Sequence, residues 1–295
     1  MHLSIRRPIA FILVLASFGL AFETKAQTSE DVAFSISATE LLEVLATSDV
    51  TVLHVARDSA DYRAGHVDGA GFLSLNEIAV SRDAQQRMLP SWEVLKEVFE
   101  SAGISNDSRV VLYGEMNGLA ATRAFFALDY TGHTKMSVLD GGYSAWQAVG
   151  GAVSMDDSPS PERGTYLVKL NQERVITASE IESLLGKVTM IDARSSAEYS
   201  GENPGNGIMR PGHIPGAISL DWQENLTEGG IMRPLSNLAS KYAEAGERVI
   251  VYCRTGMKAS YSYFVARSLG LDVALYDGSF SDWSNNTNFP VEEGE

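Results

Sequence analysis

Apolar and polar positions follow two alternating patterns along the chain. Four short runs have the length and unbroken apolar character of strands buried on both faces. These predicted strands are Val50 to Val55, Arg109 to Tyr113, Val188 to Ile191 and Arg248 to Tyr252. Between them, apolar residues recur at three- and four-residue spacing, often after a Ser or Thr that can act as an N-cap, which predicts amphipathic helices. The predicted helices are Thr39 to Leu45, Ser91 to Ala102, Ala120 to Tyr130, Ser179 to Leu185, Leu235 to Ala245 and Ala259 to Leu269. This alternation predicts an α/β fold with mostly parallel sheets flanked by helices on both faces.

The second half of the chain repeats the first. Three pairs of similar segments occur in the same order, each pair about 137 to 139 positions apart. They are His54 to Tyr62 with Ile191 to Tyr199, Val110 to Tyr113 with Val249 to Tyr252, and Leu139 to Trp146 with Tyr276 to Trp283. A nearly constant spacing is the signature of an internal repeat. Two tandem domains of the same α/β type are therefore predicted.

A fourth pair of segments locates an insertion in the second copy. Gly65 to Ala70 matches Gly212 to Ala217 at a spacing about ten residues wider than that of the other pairs. The additional residues, Ser200 to Pro211, are rich in Gly, Asn and Pro, which predicts a loop. Residues 150–164 contain Gly-Gly and Ser-Pro-Ser-Pro and have the composition of a linker. The predicted domains are residues 31–150 and 172–295, joined by a linker at 151–171.

The first 26 residues have the pattern of a secretory signal peptide. Arg6 and Arg7 precede an apolar run from Ile9 to Phe22, and small residues follow where a signal peptidase cleaves. The apolar run is shorter than the ~20 residues that a membrane-spanning helix needs, which disfavours a permanent anchor. We therefore expect an exported, periplasmic protein that begins near Gln27 and is not inserted in a membrane after cleavage.

Charge and composition argue against several classes of function. The chain has 295 residues, with 38 acidic and 23 basic side chains and a net charge of −15, so a nucleic-acid partner is not expected. Five histidines and one cysteine cannot build a structural zinc site, and no phosphate-binding or dinucleotide motif occurs. No cofactor or metal is predicted. A single cysteine also excludes an intramolecular disulfide.

The single cysteine, Cys253, lies between a predicted strand and a predicted helix. Ligands of parallel sheets bind at the carboxyl ends of the strands. The six-residue turn from Cys253 to Lys258 contains two cations, Arg254 and Lys258, and backbone N–H groups that can surround an anion. These groups and the start of the helix should favour the thiolate over the thiol. We predict that Cys253 is a nucleophile.

This strand, turn and helix, together with three further motifs, resemble the tandem-domain rhodaneses, the thiosulfate and mercaptopyruvate sulfurtransferases. The further motifs are Asp192-Ala193-Arg194, Gly212 to Ala217 and Tyr276 to Phe280. The resemblance covers nearly all of the chain after the predicted signal peptide. It implies a sulfurtransferase in which Cys253 carries sulfur as a persulfide from a small anionic donor to a thiol or cyanide, without a cofactor.

The resemblance also assigns supporting roles. It implies that the donor is bound by Arg254, Thr255, Gly256, Met257 and Lys258, and that Asp192 and Arg194 support the turn. It implies a catalytically silent first domain, because the corresponding segment Tyr113 to Gly118 contains no thiol, and Glu115 stands near the position of Arg254.

Some residues of this chain differ from the pattern of that family. Arg254 is typical of thiosulfate-using members, but Thr255 occupies the place of their lysine, for which Lys258 can compensate. A substrate-binding arginine of the family corresponds to Glu198, and the second arginine of mercaptopyruvate enzymes has no counterpart except Arg210. Thiosulfate is therefore favoured over 3-mercaptopyruvate as the donor.

Several other residues recur in both copies and are expected to be structural. They are His66 and His213 as turn residues, Arg57 and Arg194 as ion-pair partners, and Trp146 and Trp283 as core side chains. A cysteine phosphatase is disfavoured, because the arginine it needs after five intervening residues is Ala259 here. An exported, non-enzymatic persulfide-binding or thiol redox-sensing module is the alternative function.

Overall fold

The computed structural model describes residues 32–82, 85–157, 161–246 and 248–294. The predicted signal peptide, residues 1–26, lies outside these ranges. Within them, no helix is both long and apolar enough to cross a membrane.

The first half of the chain forms a parallel sheet of five strands with helices around it. The strands described in this half of the chain, including four outside the sheet, are β1 (Ser35–Ile36), β2 (Thr51–Ala56), β3 (His66–Val67), β4 (Gly71–Ser74), β5 (Val80–Arg82), β6 (Gln85–Met88), β7 (Val110–Gly114), β8 (Met136–Leu139) and β9 (Val153–Ser154). Its helices are α1 (Ala38–Leu45), α2 (Ala60–Ala64), α3 (Leu75–Ile78), α4 (Trp92–Ser101), α5 (Leu119–Tyr130) and α6 (Gly142–Ala148). The strand order in the sheet is β1-β8-β7-β2-β4, while β3 pairs with β9 and β5 with β6 in two small antiparallel ribbons.

The second half builds the same sheet again. Its strands are β10 (Val175–Ile176), β11 (Thr189–Asp192), β12 (Ala217–Ser219), β13 (Arg248–Tyr252) and β14 (Asp272–Tyr276). Its helices are α7 (Ala178–Leu184), α8 (Ser196–Ser200), α9 (Leu235–Ala243), α10 (Met257–Ser268) and α11 (Ser279–Asn285), and short 3₁₀ turns occupy Gln172–Arg174 and Trp222–Asn225. The order β10-β14-β13-β11-β12 reproduces that of the first sheet strand for strand, and every pairing is parallel. The predicted α/β fold with two similar parallel sheets is confirmed.

The four predicted strands and six predicted helices are all present, with small shifts at their ends. The largest shift with consequences for function is at α10, which begins at Met257 rather than at Ala259. Gly256 has φ +82 and is the N-cap of the helix. The turn after β13 is therefore shorter than predicted, and Met257 and Lys258 belong to the first turn of α10.

The two domains share one hydrophobic core. Alternate residues of a strand point to opposite faces of its sheet. Leu112 of β7 and Val251 of β13 lie in one common cluster, whereas Val111 and Ile250 lie in separate clusters on the outer faces. The counterpart helices α5 and α10 pack against each other inside the common cluster, where the rings of Phe125 and Phe264, and of Phe126 and Tyr263, meet edge to face.

The segment between the domains lies along the first domain. Tyr166 is fully buried, and the N–H groups of Lys169 and Asn171 donate to the carbonyls of Thr131 and Tyr130 at the end of α5.

In the second domain, residues 201–211 of the predicted insertion contain neither helix nor strand, as expected from their composition.

Candidate active site

Cys253 lies at the carboxyl end of β13, the central strand of the second sheet, and is 1% exposed. Its N–H donates to Oγ of Ser279 over 3.3 Å, and its carbonyl accepts a 2.9 Å hydrogen bond from the N–H of Phe280. The carbonyl of Arg254 accepts from the N–H of Ser281 over 3.1 Å. The start of α11 therefore fixes the first two residues of the loop.

The loop Cys253 to Gly256, called the second loop below, presents backbone donors. The N–H groups of the six residues from Arg254 to Ala259 have no acceptor among the described residues. Those at the start of α10 are free because the first N–H groups of a helix lack partners within it. Such consecutive N–H groups and the positive end of the helix form a site for an anion. The arrangement suits both a thiolate or persulfide and an oxyanion.

Arg254 is the cation of this loop that has no charged partner. It is half-buried, and its guanidinium forms no ion pair or hydrogen bond with any residue that the structure describes. A Cβ atom on Gly205 would lie 2.6 Å from its Nη1. The inserted loop of the second domain thus packs on Arg254, whose charge is free for a negatively charged ligand.

Lys258, by contrast, is neutralised. Its Nζ lies 2.5 Å from Oε2 of Glu198, whose side chain is 11% exposed. Burial raises the pKa of Glu198, but the hydrogen bond and charge of Lys258 outweigh burial, so the pKa lies below its usual value of 4.5. The acid at the place of the family's substrate-binding arginine therefore withdraws the cation that was expected to replace the missing lysine.

Asp192 and Arg194 form a fully buried ion pair below the loop. The Nη2 atom of Arg194 is 2.5 Å from Oδ2 of Asp192 and 2.8 Å from the carbonyl oxygen of Gly212. The guanidinium lies 4.1 Å from the ring centroid of Phe280, a cation–π contact. Because the N–H of Phe280 holds the carbonyl of Cys253, this ion pair supports the loop from below.

A comparison with protein families finds the same two domains as the two sheets. The family model described as Rhodanese-like domain matches residues 37–149 and 177–286. The chain belongs to the rhodanese family. Each rhodanese domain contains one five-stranded parallel sheet, and Cys253 lies in the second domain.

Similar rhodaneses carry names that refer to sulfur. The sulfur carrier protein TtuD of Thermus thermophilus is 33% identical over 281 residues, which is 88% of this chain and 96% of that protein. A thiosulfate sulfurtransferase of Corynebacterium glutamicum is 31% identical over 274 residues, which is 88% of this chain and 90% of that protein. These relatives support sulfur transfer as the general activity of this rhodanese.

Solved structures agree on the fold. The anaerobic ergothioneine biosynthesis enzyme from Chlorobium limicola, in complex with trimethyl histidine, gives a TM-score of 0.79 at 27% identity, covering 89% of this chain and 71% of that one. The structure of YnjE gives a TM-score of 0.80 at 24% identity, covering 89% of this chain and 68% of that one, and shows the fold alone.

Ser279 is a site residue that the sequence analysis does not identify. Its φ of +53 lies in the left-handed region, where a residue other than glycine costs on the order of 1–3 kcal/mol. Its Oγ accepts from the N–H of Cys253 and donates to the carbonyl of Tyr276 over 2.8 Å. The counterpart in the first rhodanese domain is Gly142, with φ +55. The replacement of this glycine by serine in the repeat is the signal that could have pointed to Ser279.

The first rhodanese domain contributes Arg123 to the wall behind the second loop. The Nη2 atom of this fully buried residue lies 2.7 Å from Oδ1 of Asp277 and donates to the carbonyl of Arg87. Asp277 also accepts a 2.6 Å hydrogen bond from the N–H of Leu89. A Cβ atom on Gly256 would lie 3.0 Å from Oδ1 of Asp277 and 3.2 Å from Nη1 of Arg123. The loop therefore rests on an ion pair between the domains.

Arg210 does not lie at the second loop. Its three guanidinium nitrogens donate to backbone carbonyls at and beyond the C-terminal end of α11, which are those of Trp283, Ser284, Asn286 and Phe289. Because the last carbonyls of a helix lack partners within it, this contact stabilises the end of α11. The structure gives Arg210 no donor-binding position.

The residues expected to be structural occupy structural positions. His66 and His213 stack on Tyr62 and Tyr199 at 3.7 Å, and Trp146 and Trp283 are 2% and 0% exposed. Arg57 pairs with Glu115 at 2.9 Å, as Arg194 pairs with Asp192. No group of three or more His, Cys, Asp or Glu side chains in the described ranges is arranged to hold a metal ion.

Proposed function

We propose that this rhodanese is a thiosulfate sulfurtransferase that uses Cys253 as its sulfur carrier. The observation that supports this proposal most strongly is the position of the single cysteine of the chain. Cys253 begins the second loop, whose N–H groups and those of the start of α10, six in all from Arg254 to Ala259, have no acceptor among the described residues. Arg254, the only charged side chain of the loop, has no charged partner among the described residues.

In the proposed reaction, the Cys253 thiolate attacks the outer sulfur of thiosulfate. The sulfur–sulfur bond of the donor breaks, sulfite leaves with the bonding electron pair, and Cys253 becomes a persulfide. A cyanide or thiolate acceptor then attacks the terminal sulfur and regenerates the Cys253 thiolate. The free N–H groups stabilise the negative charge on sulfur in both half-reactions.

Thiosulfate is favoured over 3-mercaptopyruvate because the positions expected to supply arginines for the mercaptopyruvate carboxylate, those of Glu198 and Arg210, supply no free cation. Lys258 is paired with Glu198, and Arg210 is bound to the end of α11, so Arg254 and the backbone N–H groups are left to bind the donor. The relative from Corynebacterium glutamicum, named a thiosulfate sulfurtransferase, supports the same choice.

We also propose that the protein is exported, and Edman sequencing of protein from the cell envelope should find a mature N-terminus near Gln27.

A sulfur-carrier role is the second candidate, in which the Cys253 persulfide is passed to a partner without rapid turnover on small molecules. The name of the Thermus thermophilus relative favours it. Cys253 is only 1% exposed, so any acceptor must present a slender nucleophile to the loop.

Steady-state kinetics with thiosulfate and cyanide test the proposal. Cys253→Ser should lower kcat/KM by at least about 1,000-fold, because no other thiol can form the intermediate. Arg254→Ala should lower kcat/KM by about 10- to 150-fold, the equivalent of a charge-assisted contact of ~1.5–3 kcal/mol. Arg63→Ala, which removes an exposed arginine of the first domain, is the charge-matched control and should retain full activity. Activity retained by the serine variant, with its thermal unfolding unchanged, would refute the proposal.

A further inference from the structure

The first rhodanese domain has a cavity beside Gly114, the residue that corresponds to Cys253 of the second domain. Gly114 at the end of β7 occupies the place of Cys253 at the end of β13. A cavity of about 310 Å³ lies above it, within the size range of small-molecule sites. Polar groups in its wall come from His54, Asp61, Tyr113, Glu115 and Tyr143.

His54 is a buried residue of the cavity wall whose imidazole lacks hydrogen-bond partners. The residue is only 6% exposed, and its Nδ1 atom has no hydrogen-bond partner among the described residues. Nδ1 is enclosed by the protein, whereas Nε2, which also has no hydrogen-bond partner among the described residues, keeps accessible surface at the cavity. Leaving a polar atom of a cavity wall unpaired costs about 1–3 kcal/mol, so Nε2 is expected to meet a ligand or water. The ring stacks on Tyr113 at 4.8 Å, which fixes its orientation. Burial lowers the pKa of His54 below 6.5, so the imidazole is neutral at physiological pH and offers a lone pair.

Two more groups of the wall are unpaired. The carboxylate of Asp61 forms no ion pair or hydrogen bond within the described part of the chain, and neither does the hydroxyl of Tyr143. The other acidic and phenolic groups of the wall are paired, since Glu115 contacts Arg57 at 2.9 Å and the hydroxyl of Tyr113 accepts from the N–H of Val67 over 3.0 Å. A free carboxylate, a neutral imidazole and a phenol thus face one cavity without a free cation among the groups that line it.

The counterpart positions in the second domain show that this combination is particular to the first. Glu198 occupies the place of Asp61 and is neutralised by Lys258. In the first domain, Ala120 of α5 takes the place of Lys258 and supplies no such charge. Ile191 takes the place of His54 and leaves no polar atom there. The second site is therefore suited to an anion, and the first is left with an uncompensated negative charge.

We propose that the cavity of the first domain binds a small organic cation that carries N–H donors, an alkylammonium or a guanidinium. Asp61 provides the opposite charge, His54 and Tyr143 provide hydrogen-bonding atoms, and the rings of Tyr113 and Tyr143 provide aromatic surface. A metal ion fits less well, since no three acidic, histidine or cysteine side chains in the described ranges converge.

Isothermal titration calorimetry on the mature protein tests the proposal with four probes. Putrescine and agmatine carry the proposed groups, 1,4-butanediol is a neutral analogue, and succinate is an anionic one. We expect at least one of the two cations to bind with Kd below about 1 mM, and no measurable binding of the diol or of succinate.

Variants locate the site. Asp61→Asn, on an exposed position of α2, should weaken cation binding at least about tenfold, and His54→Ile, which introduces the residue of the second domain, should do the same. Asp68→Asn removes an equal charge from an exposed turn outside the cavity and should leave Kd unchanged. Cys253→Ser should also leave it unchanged, which keeps this proposal separate from sulfur transfer.

Three results would overturn the proposal. The first is the absence of binding by both cations at 10 mM, and the second is equal binding of 1,4-butanediol, which would indicate a merely apolar cavity. The third is a Kd that Asp61→Asn does not change. Because Asp61 is exposed, this last test does not depend on whether His54→Ile folds.

Discussion

The two loops at the carboxyl ends of β7 and β13 stand on the same scaffold but carry side chains of opposite charge. The first loop, Gly114 to Gly118, carries Glu115, which is paired with Arg57. The second loop, Cys253 to Gly256, carries a thiol and the unpaired Arg254. Both loops end in a glycine in the left-handed region, and in both helices that follow the hydroxyl of the fourth residue, Thr122 or Ser260, donates to that glycine's carbonyl. The scaffold determines where a ligand can sit, and a few side chains at the loop decide which ligand it is.

Each domain also donates one backbone hydrogen bond to an aspartate of the other domain. In the second domain, Asp277 accepts from the N–H of Leu89 of the first domain. In the first domain, the counterpart Asp140 accepts a 2.8 Å hydrogen bond from the N–H of Met232 of the second. This approximate two-fold exchange is broken at one place, because within the described part of the chain Asp277 has a cationic partner, Arg123, whereas Asp140 has none. A domain without a thiol can therefore be indispensable to the one that has it.

The largest effect is expected from breaking that ion pair. Arg123→Leu leaves the carboxylate of Asp277 buried without a counter-charge, which typically costs about 3–5 kcal/mol. We expect a free energy of unfolding lower by this amount in urea titrations, and slower sulfur transfer, because the wall behind Gly256 loses its support.

The matched control is the double variant Arg123→Leu with Asp277→Asn. It removes both charges, so part of the lost stability should return, since a neutral pair is cheaper to bury than a lone charge. A single Arg123→Leu variant with wild-type stability and wild-type kinetics would show that the domains do not depend on each other in this way.

A smaller effect is expected at Gly114, which stands where the second domain has its thiol. A Cβ atom on Gly114 would lie 2.0 Å from the carbonyl oxygen of Val55, its neighbour in β2. Gly114→Ala should therefore force β2 and β7 apart and lower the free energy of unfolding by about 1–3 kcal/mol. Thermal unfolding measures this loss. Gly229→Ala is the control, because its nearest neighbour would be 3.9 Å away, and an equal loss in both variants would contradict the steric argument.

The fold and the place of Cys253 between a strand and a helix can be predicted from the sequence because they depend on local patterns. Long strands and helices have clear periodicity, and Cys253 is found from the order of strand, turn and helix. Strands of two or three residues, such as β10 and β12, are too short to show a period.

Contacts between residues far apart in the chain cannot be read from periodicity. Lys258 is close to Glu198 although they are 60 positions apart, and Arg123 reaches Asp277 from the other domain. The left-handed backbone of Ser279 depends on how α11 meets the loop. Such long-range contacts decide the charge at the site, on which the proposed choice of donor depends.

The smallest effect should come from making the charge at the second loop more positive. Glu198→Gln keeps the shape of the side chain and the capping box with Ser195, which glutamine can also form, but it releases the charge of Lys258. Because a free cation near the loop attracts a dianion, kcat/KM for thiosulfate should rise about two- to fivefold, the scale of a partly exposed charge interaction.

The matched variant Lys258→Met should lower kcat/KM for thiosulfate, because Glu198 would then face the donor without a counter-charge. Both variants lose the same ion pair, and Lys258→Met should lose more stability at pH 7, because it leaves the largely buried carboxylate of Glu198 without a counter-charge. The pKa of Glu198 is lowered in the folded protein, so its contribution to stability is present above about pH 4.5 and is lost as the pH falls further. The difference in Tm between wild type and Glu198→Gln should therefore be largest near pH 7 and shrink below pH 4.5. Opposite kinetic changes, together with a loss of stability in both variants, separate a role in donor selection from a purely structural one. If both variants slow the reaction equally, the ion pair only holds α8 against α10, and the difference in charge between the two loops does not select the donor.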